Sequence, residues 1–170
     1  IGLLLKRRNL ALEPLIHGGE STTIYRSGTP TVALASSLAL ALELAVEQLP
    51  PHRDAVRKAN DFLRAELSRY PKVRINSPEN AIPQILNLSV QDVKGTVFQR
   101  ALDEKGVCVS VKSACSSDGM PSRAVFAVSR DRRNALSSWR ISLSHLTTEE
   151  DLRGFLAAFD ACYRELTETH

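Results

Sequence analysis

The chain has 170 residues, of which 43% are hydrophobic and 24% are charged. This is the composition of an ordinary globular domain, and it excludes a collagen, a coiled coil and a disordered tail. The formal net charge of +3 is too small to indicate a nucleic-acid-binding surface. The three cysteines show no repeated ligand spacing, which favours free thiols in a reducing cytoplasm over a disulfide framework or a zinc site.

The first 50 residues predict a short strand, a loop and one long helix. Residues 1–5 are apolar and predict the strand, and the Gly-, Ser- and Thr-rich stretch that follows predicts the loop. Thr29 and Pro30 form an N-cap and first-turn pair, so we expect the helix to begin there and to end at Pro50 and Pro51. Apolar residues surround nearly its whole circumference, which indicates a buried helix. Its apolar run is shorter than the ~20 residues of a membrane span.

The rest of the chain interleaves predicted helices with short predicted strands. Helical spacing of apolar residues predicts helices at residues 54–70, 95–104, 122–128 and 132–137. Apolar and alternating runs predict strands at residues 73–76, 85–90, 107–111 and 139–143. Thr147 and Glu150 form a capping box before a last amphipathic helix. This order predicts an α/β arrangement, with helices packed against a small sheet.

The three cysteines lie in different sequence contexts. Cys162 lies beside the apolar stripe of the last helix and Cys108 lies in a predicted strand, so packing is the favoured role of both. Cys115 lies in a polar loop, where a nucleophile can reach a substrate. Its reactive form is the thiolate, which a positive neighbour such as Lys112 or Arg123 would favour. On the residues alone, a reactive thiol and a packing role both stay open for Cys115.

Four separated motifs resemble the C-terminal half of cysteine desulfurases, in the class V aminotransferase-like superfamily. They are His-Gly-Gly at 17–19 with Arg-Ser-Gly-Thr at 26–29, Ile-Leu-Asn-Leu-Ser at 85–89, Ser-Ala-Cys-Ser-Ser at 113–117, and Trp-Arg-Ile-Ser-Leu at 139–143 followed by Thr-Thr-Glu-Glu at 147–150. The motifs occur in the family's order and cover essentially the whole chain.

The resemblance implies the fold and the division of the chain. It implies the small C-terminal α/β domain of a fold-type I pyridoxal phosphate (PLP) enzyme, together with the last strand and the long connecting helix of the large domain. Residues 1–30 would end the large PLP-binding domain and form a dimer-interface loop. Residues 31–50 would form the connecting helix, and residues 51–170 the small domain that carries the cysteine loop.

The resemblance also implies three site residues, whereas the spacing of cysteines and histidines predicts no metal ligand. Cys115 matches the cysteine that attacks the substrate sulfur and becomes a persulfide, and Arg140 matches the arginine that grips the substrate carboxylate. Thr29 matches the residue that contacts the PLP phosphate across the dimer interface. Structural roles compete with these: an ion-pair partner for Arg140 and an N-cap for Thr29. His17 is interpreted as a residue that holds its loop by hydrogen bonds.

The implied function is PLP-dependent conversion of L-cysteine to L-alanine by a cytoplasmic homodimer. The sulfur would pass to an acceptor such as an iron–sulfur scaffold or a tRNA-thiolating enzyme, with no direct contact to nucleic acid or membrane. None of the six lysines matches the family's cofactor lysine. We therefore expect the chain to be the C-terminal portion of a protein about twice its size, and to be inactive by itself. The alternatives are a PLP-independent sulfurtransferase and a non-catalytic docking domain.

Overall fold

The structure is a computed structural model that describes residues 1–19, 23–111 and 120–168. The chain divides into two compact units, Ile1–Leu49 and Pro50–His170. The regular elements, in chain order, are α1 (Val32–Glu47), α2 (Leu49–Leu67), β1 (Val73–Ile75), β2 (Ile85–Val90), α3 (Gly95–Asp103), α4 (Arg123–Ser129), α5 (Arg132–Ser137), β3 (Ser138–Ser142) and α6 (Glu149–Thr167).

The first unit departs from the sequence predictions in three ways. Residues 1–5 form no strand, because the described part of this unit offers no neighbouring strand to satisfy their backbone groups. Helix α1 begins after Thr31, so the prediction of Thr29 as its N-cap is wrong. The prediction of a buried helix is also wrong for this chain, because α1 contains no buried residue. Apolar side chains such as Leu40 and Val46 are exposed on it.

The two adjacent prolines begin a helix instead of only ending one. Pro50 and Pro51 lie in the first turn of α2, where a backbone N–H has no partner within the helix, so a proline loses no hydrogen bond there. Helix α2 therefore starts five residues before the predicted position. Among the described residues, no single helix is long and apolar enough to cross a membrane; α1 and α2 meet that test only when taken together across their break.

The second unit is built on a three-stranded antiparallel sheet with the order β1-β2-β3. Side chains alternate along β2, as its sequence predicts: Leu86, Leu88 and Val90 are buried in the hydrophobic core, whereas Ile85 is exposed. The register of β2 and β3 places Leu88 opposite Trp139. One face of the sheet is therefore apolar and packs on helices.

Helices α2, α3 and α6 complete this core. Trp139 stacks on Phe98 of α3, with ring centroids 5.3 Å apart, and Phe98 lies 5.2 Å from Phe159 of α6. Helix α3 approaches the sheet closely at Gly95, where a Cβ atom would lie 2.5 Å from the Ser138 carbonyl oxygen. Glycine is therefore required at this contact, because any side chain would push α3 away from β3.

The predicted strand at residues 107–111 is absent. Gly106 has a φ of +76°, and the Val107 N–H donates to the Leu102 carbonyl, so this segment continues the turn that ends α3. Only Ser110 reaches the sheet, through an isolated bridge to Arg140. Cys108 is consequently exposed, and the prediction that it packs inside a strand is wrong.

The last helix begins one residue later than the sequence predicts. Thr148 Oγ1 accepts a hydrogen bond from the Asp151 N–H (3.1 Å), and Asp151 Oδ2 accepts one from the Thr148 N–H (2.9 Å). These bonds lower the pKa of the Asp151 carboxyl. The capping box is therefore this pair, and the predicted pair of Thr147 and Glu150 is wrong. Thr147 instead accepts from the Ser144 N–H.

Cys162 and Cys108 should differ in their effect on stability. Cys162 is buried in the core, and burial raises the pKa of its thiol. Because Cys162→Ala removes a buried atom and leaves a small cavity, it should lower the free energy of unfolding by about 1 kcal/mol. Cys108→Ala removes an exposed side chain and should change it by less than about 0.5 kcal/mol. Urea unfolding of both variants measures the difference. Equal losses would contradict the burial assigned to the two thiols.

Candidate functional site

A cleft lies on the sheet face opposite the aromatic core. Side chains from all three strands line it, together with residues 120–122 and helix α4. Arg74, Arg123 and Arg140 line its described part, and no acidic side chain does. Such a cleft favours an anionic ligand, because its walls carry fixed positive charge.

Arg140 is held in this cleft by strand β3 and lacks an acceptor for one of its donors. Its backbone N–H donates to the Ser110 carbonyl (2.7 Å), and its carbonyl accepts from the Ser110 N–H (3.1 Å). Its Nε atom is buried and has no hydrogen-bond partner among the described residues. Trp139 Nε1 is also buried without a hydrogen-bond partner among these residues, but it lies on the core face of the strand. A buried guanidinium N–H without an acceptor is costly, so this donor is available to a ligand or to an ordered water.

The structural role that competes for Arg140 finds no support in the described part of the chain. Each ion pair there joins other residues, so no carboxylate of the described ranges neutralises Arg140. Guanidinium groups bind carboxylates with two parallel hydrogen bonds. Arg140 is therefore free to bind a carboxylate ligand.

A network of amide and hydroxyl groups lies beside Arg140 on the same sheet face. Asn76 Nδ2 donates to Asn87 Oδ1 (2.9 Å) and to Ser89 Oγ (2.8 Å), and Asn134 Nδ2 donates to Asn76 Oδ1 (2.9 Å). Ser89 and Asn134 are buried, so these bonds satisfy groups that have no access to water. Sequence reasoning missed this network; its signal was the polar alternation of Asn87 and Ser89 along β2.

Helix α5 is fixed to the sheet by this network and by its own N-cap. Asp131 Oδ1 accepts from the Asn134 N–H at the start of α5 (3.0 Å), and Asp131 Oδ2 lies 3.5 Å from Arg74 Nη1. Asn134 thus joins the helix to β1 through its side chain, and it joins β2 through its carbonyl, which accepts from Ser89 Oγ. These bonds join α5 to two strands of the sheet.

Helix α2 holds the loop that forms another part of the cleft. Asn60 Nδ2 donates to the Pro83 carbonyl (2.8 Å), and Arg64 donates to Asn60 Oδ1 and to the Pro78 carbonyl. Ser77, at the start of this loop, accepts from the Asn87 N–H through its Oγ (2.9 Å). The loop is thereby tied both to α2 and to the strand that carries Asn87.

Cys115 lies outside the described residues, as does its predicted positive neighbour Lys112. The described chain on either side of that segment, at Val111 and Met120, lines the cleft that contains Arg140. The segment that carries Cys115 is therefore joined at both ends to the lining of this cleft. Arg123, the other predicted positive neighbour, also lines it.

The remaining predicted residues lie in the first unit. Thr29 is exposed and follows Gly28, which has a φ of +103°. The two parts of the glycine-containing motif are joined by Ser27, whose N–H (3.3 Å) and Oγ (3.2 Å) both donate to the Ile16 carbonyl. Among the described residues, the bonds that join the two parts come from Ser27, and none comes from His17.

Curated relatives of the chain are cysteine desulfurases. Cysteine desulfurase IscS of Dictyoglomus turgidum is 33% identical over 169 residues, which cover 98% of this chain and 43% of that protein. The IscS-like cysteine desulfurase of Mycobacterium tuberculosis is 32% identical over 156 residues, which cover 89% of this chain and 40% of that protein. The chain thus spans about two fifths of the length of these relatives.

Solved structures confirm the predicted α/β fold. The NifS-like protein of Rickettsia africae superimposes with a TM-score of 0.77 at 28% identity, covering 91% of this chain and 41% of that one. Another NifS-like protein gives a TM-score of 0.80 at 30% identity, covering 94% and 41% of the two chains. The resemblance read from the four motifs is confirmed as well. The family model for class V aminotransferases matches residues 1–155, nearly the whole sequence, and the chain therefore belongs to that family.

Proposed function

We propose that the protein containing this chain is a cysteine desulfurase, which converts L-cysteine to L-alanine and holds the sulfur as a persulfide on Cys115. The observation that carries the proposal is the buried Arg140 Nε without an acceptor, in an arginine-lined cleft. The names of the relatives support the same activity and do not favour a PLP-independent sulfurtransferase or a non-catalytic docking domain.

In this proposal Arg140 binds the carboxylate of L-cysteine. Its planar donor fork matches the two oxygens of a carboxylate, and its position on a strand limits the directions in which the fork can point. Binding the substrate at this end orients the thiol end relative to the cysteine loop. Positioning of this kind contributes to the rate because the reacting atoms meet without a further loss of freedom.

Cys115 takes up the sulfur in this proposal. Its thiolate attacks the substrate sulfur, so that an S–S bond forms while the bond between sulfur and the substrate Cβ breaks. The Cβ atom keeps the electron pair and takes a proton, which gives L-alanine. The position of the flanking residues at the Arg140 cleft supports this role, because both ends of the loop start from the site that would hold the substrate.

Class V aminotransferases and their cysteine desulfurase relatives are PLP-dependent enzymes. The described cleft residues do not by themselves fit this cofactor, because no lysine lines the cleft to form a Schiff base. Lys6 Nζ is engaged with backbone carbonyls, the nearest being that of Leu10 at 2.9 Å. A phosphate contact by Thr29 across a dimer interface rests on the resemblance, and its exposed position supports it.

The other parts of the proposal also rest on the resemblance. Residues 1–30 belong to a large PLP-binding domain, residues 31–50 to a connecting helix, and residues 51–170 to a small domain. The protein is a cytoplasmic homodimer that passes its sulfur to an iron–sulfur scaffold or a tRNA-thiolating enzyme. The exposed apolar side chains of α1 support a helix that packs against further protein.

Replacing Arg140 tests the carboxylate site. In the whole protein, Arg140→Lys should raise KM for L-cysteine, because a point charge cannot reproduce a bidentate contact whose loss costs roughly 2 to 3 kcal/mol. Steady-state release of alanine measures KM. Arg133→Lys is the matched control, because Arg133 is exposed and does not line the cleft. An unchanged KM in the Arg140 variant would exclude this role.

Replacing Cys115 tests the sulfur acceptor. Cys115→Ala should abolish persulfide formation and alanine release, because no other group is proposed to take the sulfur. Cys108→Ala, which removes an exposed thiol, should keep both. Mass spectrometry of the protein after one turnover detects the added sulfur atom. Normal turnover by the Cys115 variant would rule out the persulfide assignment.

A further inference from the structure

Asn87 is the cross-strand neighbour of Arg140. The register of the antiparallel pair β2 and β3 places the two residues directly opposite each other. Directly opposed residues point to the same face of a sheet, with Cβ atoms ~5 Å apart. Both residues line the same cleft. The register therefore makes the Asn87 side chain a neighbour of the Arg140 side chain on the face of the sheet that forms the cleft.

Hydrogen balance in the polar network fixes the orientation of the Asn87 amide. The backbone carbonyl of Asn134 can only accept, so the Ser89 hydroxyl donates to it (3.0 Å). Ser89 Oγ must then accept from the Asn76 atom that lies 2.8 Å away, which identifies that atom as Nδ2. The same Nδ2 lies 2.9 Å from Asn87, and the Asn87 atom that faces it is therefore the acceptor Oδ1.

In the network of side-chain amides, the Asn87 Nδ2 group is consequently a donor that remains unpaired. Its Oδ1 is engaged by Asn76, and its Nδ2 has no acceptor in the part of the chain that the structure describes. Arg140 Nε, on the neighbouring strand, lacks an acceptor as well. Two unpaired donors, one charged and one neutral, thus belong to adjacent residues of one cleft.

We infer that Asn87 Nδ2 donates a second hydrogen bond to the substrate carboxylate that Arg140 binds. This inference rests on the proposed function of Arg140. A carboxylate accepts at both oxygens, so it can bind the guanidinium and the amide together. Because the network holds the amide with its donor end toward the cleft, Asn87 selects an acceptor-only group. A substrate amide offers one acceptor oxygen where a carboxylate offers two, so it matches these two donors less well.

The test uses the 170-residue chain and L-alanine, which carries the same α-carboxylate and no thiol. In the 15N-labelled wild-type chain, addition of L-alanine should shift the side-chain signals of Asn87 Nδ2 and Arg140 Nε with one saturation curve. Asn87→Ala should raise the dissociation constant at least about tenfold, because it removes a hydrogen bond to a charged group. Asn76 Nδ2 keeps Ser89 Oγ as its acceptor in this variant.

Asn80→Ala is the matched control, because Asn80 is exposed and does not line the cleft. The dissociation constant of this variant for L-alanine should equal that of the wild-type chain. The amide signals of Leu88 and Trp139 report whether the sheet is intact. If Asn87→Ala disturbs the sheet, the Asn87 signal of the wild-type chain decides alone: a saturable shift supports the inference, and no shift overturns it.

The outcomes separate this inference from the function on which it rests. An intact Asn87→Ala variant that binds as tightly as the wild-type chain overturns the role of Asn87 and leaves Arg140 untouched. An Arg140→Lys variant that binds as tightly as the wild-type chain instead contradicts the proposed carboxylate site. Absence of any saturable shift in the wild-type chain overturns the inference alone, since turnover of the whole protein tests the proposed function separately.

Discussion

The antiparallel pairing of β2 with β3 is the constraint on which both the core and the cleft depend. Its register places Leu88 opposite Trp139 on one face, and Asn87 opposite Arg140 on the other. Because side chains alternate along a strand, a slip of one residue would move Trp139 into the cleft and Arg140 into the aromatic core. Burial of the aromatic cluster therefore also fixes where the cationic site lies.

The two faces of the sheet are stabilised by different physical means. The core face buries apolar area of α2, α3 and α6, which favours folding without specifying direction. The cleft face is held by directional hydrogen bonds among amides, a hydroxyl and backbone carbonyls. Such bonds fix the orientation of each group, and they leave Arg140 and Asn87 with donors that a ligand can use. The hydrogen bond that fixes the Asn87 amide uses its Oδ1 atom, so the same bond leaves its Nδ2 atom unpaired within this network.

The sequence predicted the elements whose apolar pattern is strong and local. The alternation of residues 85–90 and the apolar stripe after residue 148 identified β2 and α6. The sequence wrongly predicted a strand at residues 107–111. Whether a strand forms there depends on the turn that ends α3 and on a partner strand, and neither can be read from the local apolar pattern. The burial predicted for α1 required a partner surface that the described residues of its unit do not supply.

The sequence predicted a site residue only where that residue lies in a recognisable motif. Arg140 follows Trp139 in a motif and could be found, whereas Asn76 and Asn134 lie far apart in the chain. Only the folded sheet brings these two amides together, with a distance of 2.9 Å between Asn134 Nδ2 and Asn76 Oδ1. Residue types such as asparagine are common in loops and turns, so their presence alone indicated no site.

We propose that the cleft beside β3 binds an α-carboxylate through Arg140, and a crystal structure of the chain with L-alanine would show whether it does. We expect carboxylate density between the Arg140 guanidinium and the Asn87 amide, with hydrogen-bond distances to both. L-Alanine bound elsewhere, or bound in this cleft with its amino group toward Arg140, would contradict it.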